Sequence, residues 1–229
     1  MEHFSHRRLL VKIVEVIVAG DEDEARAAAK VTMNLNLAPL ETLKKGVCEG
    51  LKVALKKYNA NQLSFSGLLA SADATSAAIN VIRHRMGKEA PYVGTCVIGT
   101  VEGDDCCHDM GKDLVATMLE AGGFKVVNLG ICVPASKFVK ATIKYNADIV
   151  ASSSSAISED TTMRQKEIEE ALEAAGIRHK VKTLVGGMYT DEKWAREIGA
   201  DAWGADCLDG LKKANELMKK LGEERKSLA

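Results

Sequence analysis

The stretch Glu102-Gly103-Asp104-Asp105-Cys106-Cys107-His108-Asp109-Met110-Gly111 sets one imidazole among carboxylates and two adjacent thiols. A neutral imidazole is a good metal donor, and a nearby carboxylate can hold its second nitrogen in the required tautomer. Two further segments have chemical potential. Ser152-Ser153-Ser154-Ser155, followed by Ala156-Ile157, supplies hydroxyls that both donate and accept hydrogen bonds. Gly186-Gly187 lets a ligand approach bare backbone. Each has an ordinary reading when taken singly: a lone loop histidine is usually solvated, a glycine pair is turn chemistry, and serines make a polar loop. Their meaning depends on whether the fold brings them to one place.

The elements around them follow two grammars. Residues 1 to about 86 read as helix throughout. Leu9, Leu10, Ile13, Val16 and Ile17 recur at helical spacing, and Gly20-Asp21 ends that segment and caps the next. Pro39 opens a third helix that runs to about Tyr58, and Ser64 caps a fourth carrying Leu68, Leu69, Ala72, Ala78 and Val81. Four helices with short connections predict a bundle. After a linker at Gly87–Tyr92, short apolar runs alternate with amphipathic stretches. Strands are expected at Val93–Val101, Lys125–Leu129, Asp148–Ala151, Val181–Val185 and Ala200–Trp203. Helices are expected at Lys112–Ala121, Ser136–Tyr145, Asp160–Ala175, Glu192–Ile198 and Leu208–Leu221. Five alternations predict an α/β fold with a flavodoxin-like (Rossmann-like), doubly wound, five-stranded parallel sheet. The expected domains are a helical-bundle cap, 1–88, and an α/β ligand-binding domain, 89–229. In such a sheet, ligands bind beyond the carboxyl ends of the strands where strand order reverses. The three chemically suggestive segments follow strands one, three and four, which are neighbours there.

Composition narrows the partners. The chain has 229 residues, 46% hydrophobic and 28% charged, which excludes a disordered chain. A net charge of −1 argues against nucleic acid and anionic membrane surfaces. No unbroken apolar run reaches bilayer length, and Lys12 and Glu15 interrupt Leu9–Ala19, so a cytoplasmic location is expected. The six cysteines would then be mostly free thiols, and none forms a Cys-x-x-Cys pair.

The chain resembles the corrinoid (cobalamin-binding) proteins of methyltransferase systems, which are similar to the cobalamin module of methionine synthase. The family motif runs Asp-x-His-x-x-Gly, then Ser-x-Leu, then Gly-Gly. Here His108-Asp109-Met110-Gly111, the serine run and Gly186-Gly187 stand in that order. The resemblance extends through Gly130-Ile131-Cys132-Val133-Pro134, Thr161-Thr162-Met163 and Ile198-Gly199-Ala200-Asp201, and through Pro39-Leu40 and Phe65–Ala72 in the helical half. Two departures stand out. Cys106 occupies the position of the family's Asp, with Asp105 and Asp104 farther from His108. If Asp104 is the motif residue, the loop carries an insertion of two. Ser153-Ser154-Ser155 fits the upstream spacing, whereas Ser155-Ala156-Ile157 better imitates Ser-x-Leu.

The resemblance implies cobalamin as cofactor, its own base displaced from cobalt and His108 as metal ligand, supported by Asp104 or Asp105. It implies that Asp109, Met110, Gly111, Ser153, Ser155, Ile157, Thr161, Gly186 and Gly187 line the cofactor and its nucleotide tail. Phe65, Leu68 and Leu69 are candidates for an apolar lid, with bundle core as the equal alternative, and 87–91 for a hinge. The implied role is a carrier subunit with no complete reaction of its own. It would take a methyl group from a substrate-specific methyltransferase to a second methyltransferase using tetrahydrofolate or a thiol, with a reductive activase as a further partner. Two other readings remain open: a metal-binding or redox-sensing Cys106-Cys107-His108 protein, and a phosphorelay receiver-like domain. The receiver requires an Asp at the end of strand three, where this chain has serines.

Overall fold

The computed structural model describes residues 2–86, 92–103, 110–154 and 159–227. The chain divides into two compact units: Met1–Tyr92 with Glu120–Gly123, and Val93–Leu119 with Phe124–Ala229. The expected division after residue 88, and the proposed hinge, fall outside the described residues.

In the helical unit the helices are α1 (Glu2–Ala19), α2 (Glu22–Asn34), α3 (Pro39–Thr42), α4 (Cys48–Asn59) and α5 (Phe65–Met86). The caps follow the sequence signals. Asp21 accepts the Glu24 amide at 2.9 Å, and the Ser64 hydroxyl accepts the Gly67 amide at 3.1 Å. One feature departs from the uninterrupted third helix expected from spacing. A π-helical turn, Leu43–Val47, joins α3 to α4, so the stretch still counts as one arm of a four-helix plan. Ile13, Ile17, Leu51, Leu68, Ile79 and Ile82 are fully buried. Each such side chain stabilises the unit by about 2 kcal/mol relative to exposure. A Cβ at Gly50 would come within 2.9 Å of Ile17, so the glycine allows α1 and α4 to approach closely.

α5 corrects one expectation. Its 22 residues are long and apolar enough, by length and composition, to cross a membrane. The search for an unbroken aliphatic run missed it because alanines and scattered isoleucines supply its hydropathy. Nine of its residues, among them Leu68, Ala74, Ala78 and Ile82, are buried, the pattern of a core helix.

The second unit carries β1 (Thr95–Thr100), β2 (Lys125–Asn128), β3 (Ile149–Ser153), β4 (Lys182–Gly186) and β5 (Ala202–Trp203). They form one parallel sheet in the order β2-β1-β3-β4-β5, the flavodoxin-like order with its reversal at β1 and β3. The intervening helices are α6 (Met110–Ala121), α7 (Ala135–Tyr145), α8 (Glu159–Ala174), α9 (Glu192–Ile198) and α10 (Cys207–Ser227). The central strands are buried on both faces, as a doubly wound sheet requires. Val97 and Val150 share one face with Phe138, Ile168 and Leu172 from α7 and α8. Burial pushes the Cys96 thiol up to about 12, which keeps it protonated and inert.

Candidate functional site

The carboxyl ends of β1, β3 and β4 lie in register: Thr100 pairs with Ser153, and Ser153 with Gly186. One residue further, the Val101 amide donates to Ser153 O at 3.0 Å and the Ser154 amide to Gly186 O at 3.0 Å. The serine run and the glycine pair are therefore adjacent, as the topology predicted.

Their packing is set by Gly187. Its φ is +130°, and a Cβ there would lie 1.8 Å from Ser154 O and 2.5 Å from Ser154 C. Only glycine allows these two backbones to meet so closely. The Ser154 side chain is fully buried, yet its hydroxyl has no hydrogen-bond partner among the described residues. A buried hydroxyl left unpaired costs about 1–3 kcal/mol, so the position favours an incoming polar group. Spacing singled out Ser153 and Ser155; the buried hydroxyl belongs to the residue between them.

A carboxamide behind these strands ties their ends together. Gln165, in α8 and fully buried, donates from Nε2 to Ser152 O at 2.9 Å and to Gly186 O at 3.0 Å. Its Oε1 accepts the Trp194 indole N–H at 3.0 Å. Beyond Gly187, Thr190 donates its hydroxyl to Gly187 O at 2.9 Å and accepts the Trp203 indole N–H at 3.0 Å. None of Gln165, Thr190, Trp194 and Trp203 was anticipated. No local sequence signal marks any of the four.

The first strand's loop is framed on both sides. Glu102 and Gly103 are exposed after β1, and Met110 starts α6 beyond it, 44% exposed, with Gly111 also exposed. The next residue, Lys112, is buried. Its ammonium donates to Asp113 Oδ1 at 2.6 Å and to Asn128 Oδ1 at 3.0 Å, while Asn128 Nδ2 donates to Asp113 at 3.0 Å. Asn128 Oδ1 also accepts the Gly130 amide at 3.0 Å. This cluster anchors the start of α6 to the end of β2. Asp104, Asp105, Cys106, Cys107, His108 and Asp109 lie outside the described residues, as do Ser155 and Ile157. Thr161 falls in the first turn of α8. Among the described residues no cluster of three or more metal-ligating side chains exists.

The three lid candidates occupy the start of α5. Leu68 is 1% exposed and belongs to the core of the helical unit, Leu69 is half-buried, and Phe65 is 41% exposed with its ring tilted against Tyr58 at 6.0 Å.

The described residues fit a corrinoid with an extended polar tail: the ends of β1, β3 and β4 lie side by side, Gly187 lets two backbones meet there, and the buried Ser154 hydroxyl has no hydrogen-bond partner among the described residues. The comparisons agree. The B12 binding domain family matches residues 94–212, and a second B12 binding domain family matches residues 9–83. Trimethylamine corrinoid protein 1 of Methanosarcina acetivorans is 37% identical over 93% of this chain and 99% of its own length. A cobalamin-binding protein of Desulfitobacterium hafniense superposes with a TM-score of 0.70 at 26% identity, covering 91% of this chain and 98% of the other. A chain of the methanol:cobalamin methyltransferase complex of Methanosarcina barkeri shares the fold, with a TM-score of 0.75 at 24% identity over 93% of this chain and 80% of that one. The chain belongs to the cobalamin-binding corrinoid proteins of methyltransferase systems.

Proposed function

We propose that this chain is a methyl carrier that docks in turn with a substrate-specific methyltransferase and with a second methyltransferase acting on tetrahydrofolate or a thiol. It lacks a complete reaction of its own. When bound, the corrinoid supplies a cobalt centre that accepts and gives up a methyl group. The protein's residues hold that centre and screen it. The observation that carries the reading is the buried Ser154 hydroxyl, without a hydrogen-bond partner among the described residues, beside the close Gly187 backbone contact at the end of the sheet where a nucleotide tail would run.

In this reading His108 would hold the cobalt, with Asp104 or Asp105 fixing its tautomer. Asp109, Met110 and Gly111 complete that loop, and Ser153, Ser155, Ile157 and Thr161 line the tail with Gly186 and Gly187. The clamp of Lys112, Asp113 and Asn128 anchors the start of α6. The helical unit acts as the cap, with Phe65 and Leu69 offering the apolar surface and residues 87–91 as the hinge. Leu68 serves the bundle core. A reductive activase restores the carrier after adventitious oxidation, and the cycle runs in the cytoplasm. Trimethylamine is the first donor to test, because the relative at 37% identity carries that name.

The test loads purified protein with hydroxocobalamin, removes free corrinoid, and records cobalt content and the visible spectrum. The expected result is near-stoichiometric retention with a spectrum that His108→Ala changes. No retained corrinoid in the wild type ends the carrier reading, whereas an unchanged spectrum in the variant removes His108 alone as ligand. Transfer is then measured by adding a trimethylamine methyltransferase with its substrate and following demethylation in the presence and absence of this chain.

A further inference from the structure

Gln165 has no place in the motif reading, yet its side chain is hydrogen-bonded to the carboxyl ends of both β3 and β4. A glutamine amide offers two N–H donors and one carbonyl acceptor. Here both donors go to strand-end carbonyls, Ser152 O and Gly186 O, and the acceptor receives the Trp194 indole. The side chain is 0% exposed, so water cannot replace any of these bonds. Ser152 lies two positions before Ser154, and Gly186 directly before Gly187.

We propose that Gln165 is the positioning residue of the corrinoid tail cleft. Its carboxamide holds the β3 and β4 ends at the spacing in which the Ser154 hydroxyl stays unsatisfied and Gly187 stays pressed to the Ser154 backbone. Trp194, reaching in from α9, holds the carboxamide in the one orientation that presents its N–H groups to the two carbonyls. A carboxylate in this place would set an oxygen against two carbonyl oxygens, and a leucine would leave both carbonyls without their side-chain donor. Either change frees the two strand ends to shift, and the consequence falls on the tail of the ligand rather than on its ring. The inference rests on the reading of this cleft as the tail site, and the test separates the two.

The probes are hydroxocobalamin and cobinamide, a corrinoid of the same ring that lacks the nucleotide tail. Affinities are measured by absorbance titration for wild type, Gln165→Leu, Gln165→Glu and Trp194→Phe, alongside thermal melting of each. The wild type is expected to bind hydroxocobalamin at least about tenfold more tightly than cobinamide. Gln165→Leu and Gln165→Glu should erase most of that preference while changing cobinamide affinity less than about twofold. Trp194→Phe, which keeps both donors and loses only the orienting bond, should lie between them and the wild type. If the wild type shows no preference for the tailed corrinoid, the tail-cleft reading itself fails. If the wild type shows the preference and both Gln165 variants keep it, or lose affinity for both corrinoids equally, Gln165 does not position the cleft. A variant too unstable to titrate is replaced by Trp194→Phe, whose retention of the full preference would equally overturn the proposal.

Discussion

The two ends of the same five-stranded sheet are built on opposite principles. At the amino ends, charged side chains close on each other and on the backbone. Arg178 meets Glu169 and, at 2.9 Å, Asp201; it also donates to the Gly199 carbonyl at 2.8 Å. Asp201 accepts the Thr183 amide and Asp148 the Thr95 amide, each at 2.8 Å, while Arg225 pairs with Asp148 and Lys182 with Glu224. At the carboxyl ends there are serines, glycines and one buried hydroxyl with no partner among the described residues. The amino end contributes to stability because its polar groups have found one another. The carboxyl end keeps the Ser154 hydroxyl without a partner among the described residues, and an unmatched buried group is what a ligand can satisfy. A fold that must both stand and bind separates the two tasks across the length of its strands.

Four measurements would break or sharpen that contrast. The largest effect is expected at the amino end, where Arg178→Ala leaves the buried Glu169 carboxylate without its guanidinium partner. It should lower unfolding free energy by about 3 kcal/mol in urea titrations, while the folded fraction keeps its corrinoid affinity. A matching loss of affinity would show that the two ends are not separable. Gly187→Ala attacks the other end. It should abolish corrinoid retention after desalting and cost about 2 kcal/mol of stability, because the new Cβ meets backbone and the φ is one that alanine avoids.

The third measurement concerns pH. Burial pushes the Glu169 carboxyl up to about 7, with the adjacent Arg178 guanidinium pulling the other way. The folded chain therefore holds this proton more tightly than the unfolded chain, whose carboxyl titrates near 4.5. The associated stabilisation is complete below about pH 4.5 and is lost as pH rises through about 7. Melting temperature followed from pH 5 to 8 should fall more steeply for wild type than for Glu169→Gln, and parallel curves would count against it. The smallest effect on stability belongs to Ser154→Ala, which removes the unpaired buried hydroxyl and should raise unfolding free energy by about 1 kcal/mol in urea titrations. Its corrinoid affinity should nonetheless drop about fivefold. A destabilised variant with intact binding would place the hydroxyl in the structural class instead.

Much of this was legible in the order of residues. Helical periodicity and the Asp21 and Ser64 caps anticipated the bundle, and five alternations anticipated the strand order that brings Ser153 beside Gly186. The π-turn at Leu43–Val47 was not legible, since the apolar spacing on either side of it is compatible with an unbroken helix. The apolar character of α5 was overlooked because it is spread over alanines. Ser154 was passed over in favour of its neighbours, because motif spacing ranks positions and says nothing of which hydroxyl ends up buried without a partner. Gln165 and Trp194 carry no local signature at all: their importance arises from bonds to segments distant in the chain.

What the sequence determined by itself was the class of the fold, the family, and the order of the segments that follow β1, β3 and β4. Those follow from periodicity, turn residues and ordered motifs, all short-range properties of the chain. Only the tertiary structure decided that Gly187 lies against the Ser154 backbone, that one carboxamide clasps two strand ends, and that the Ser154 hydroxyl between them is buried without a partner among the described residues. Burial and hydrogen-bond satisfaction are properties of packed neighbours, and neighbours are chosen by the fold as a whole.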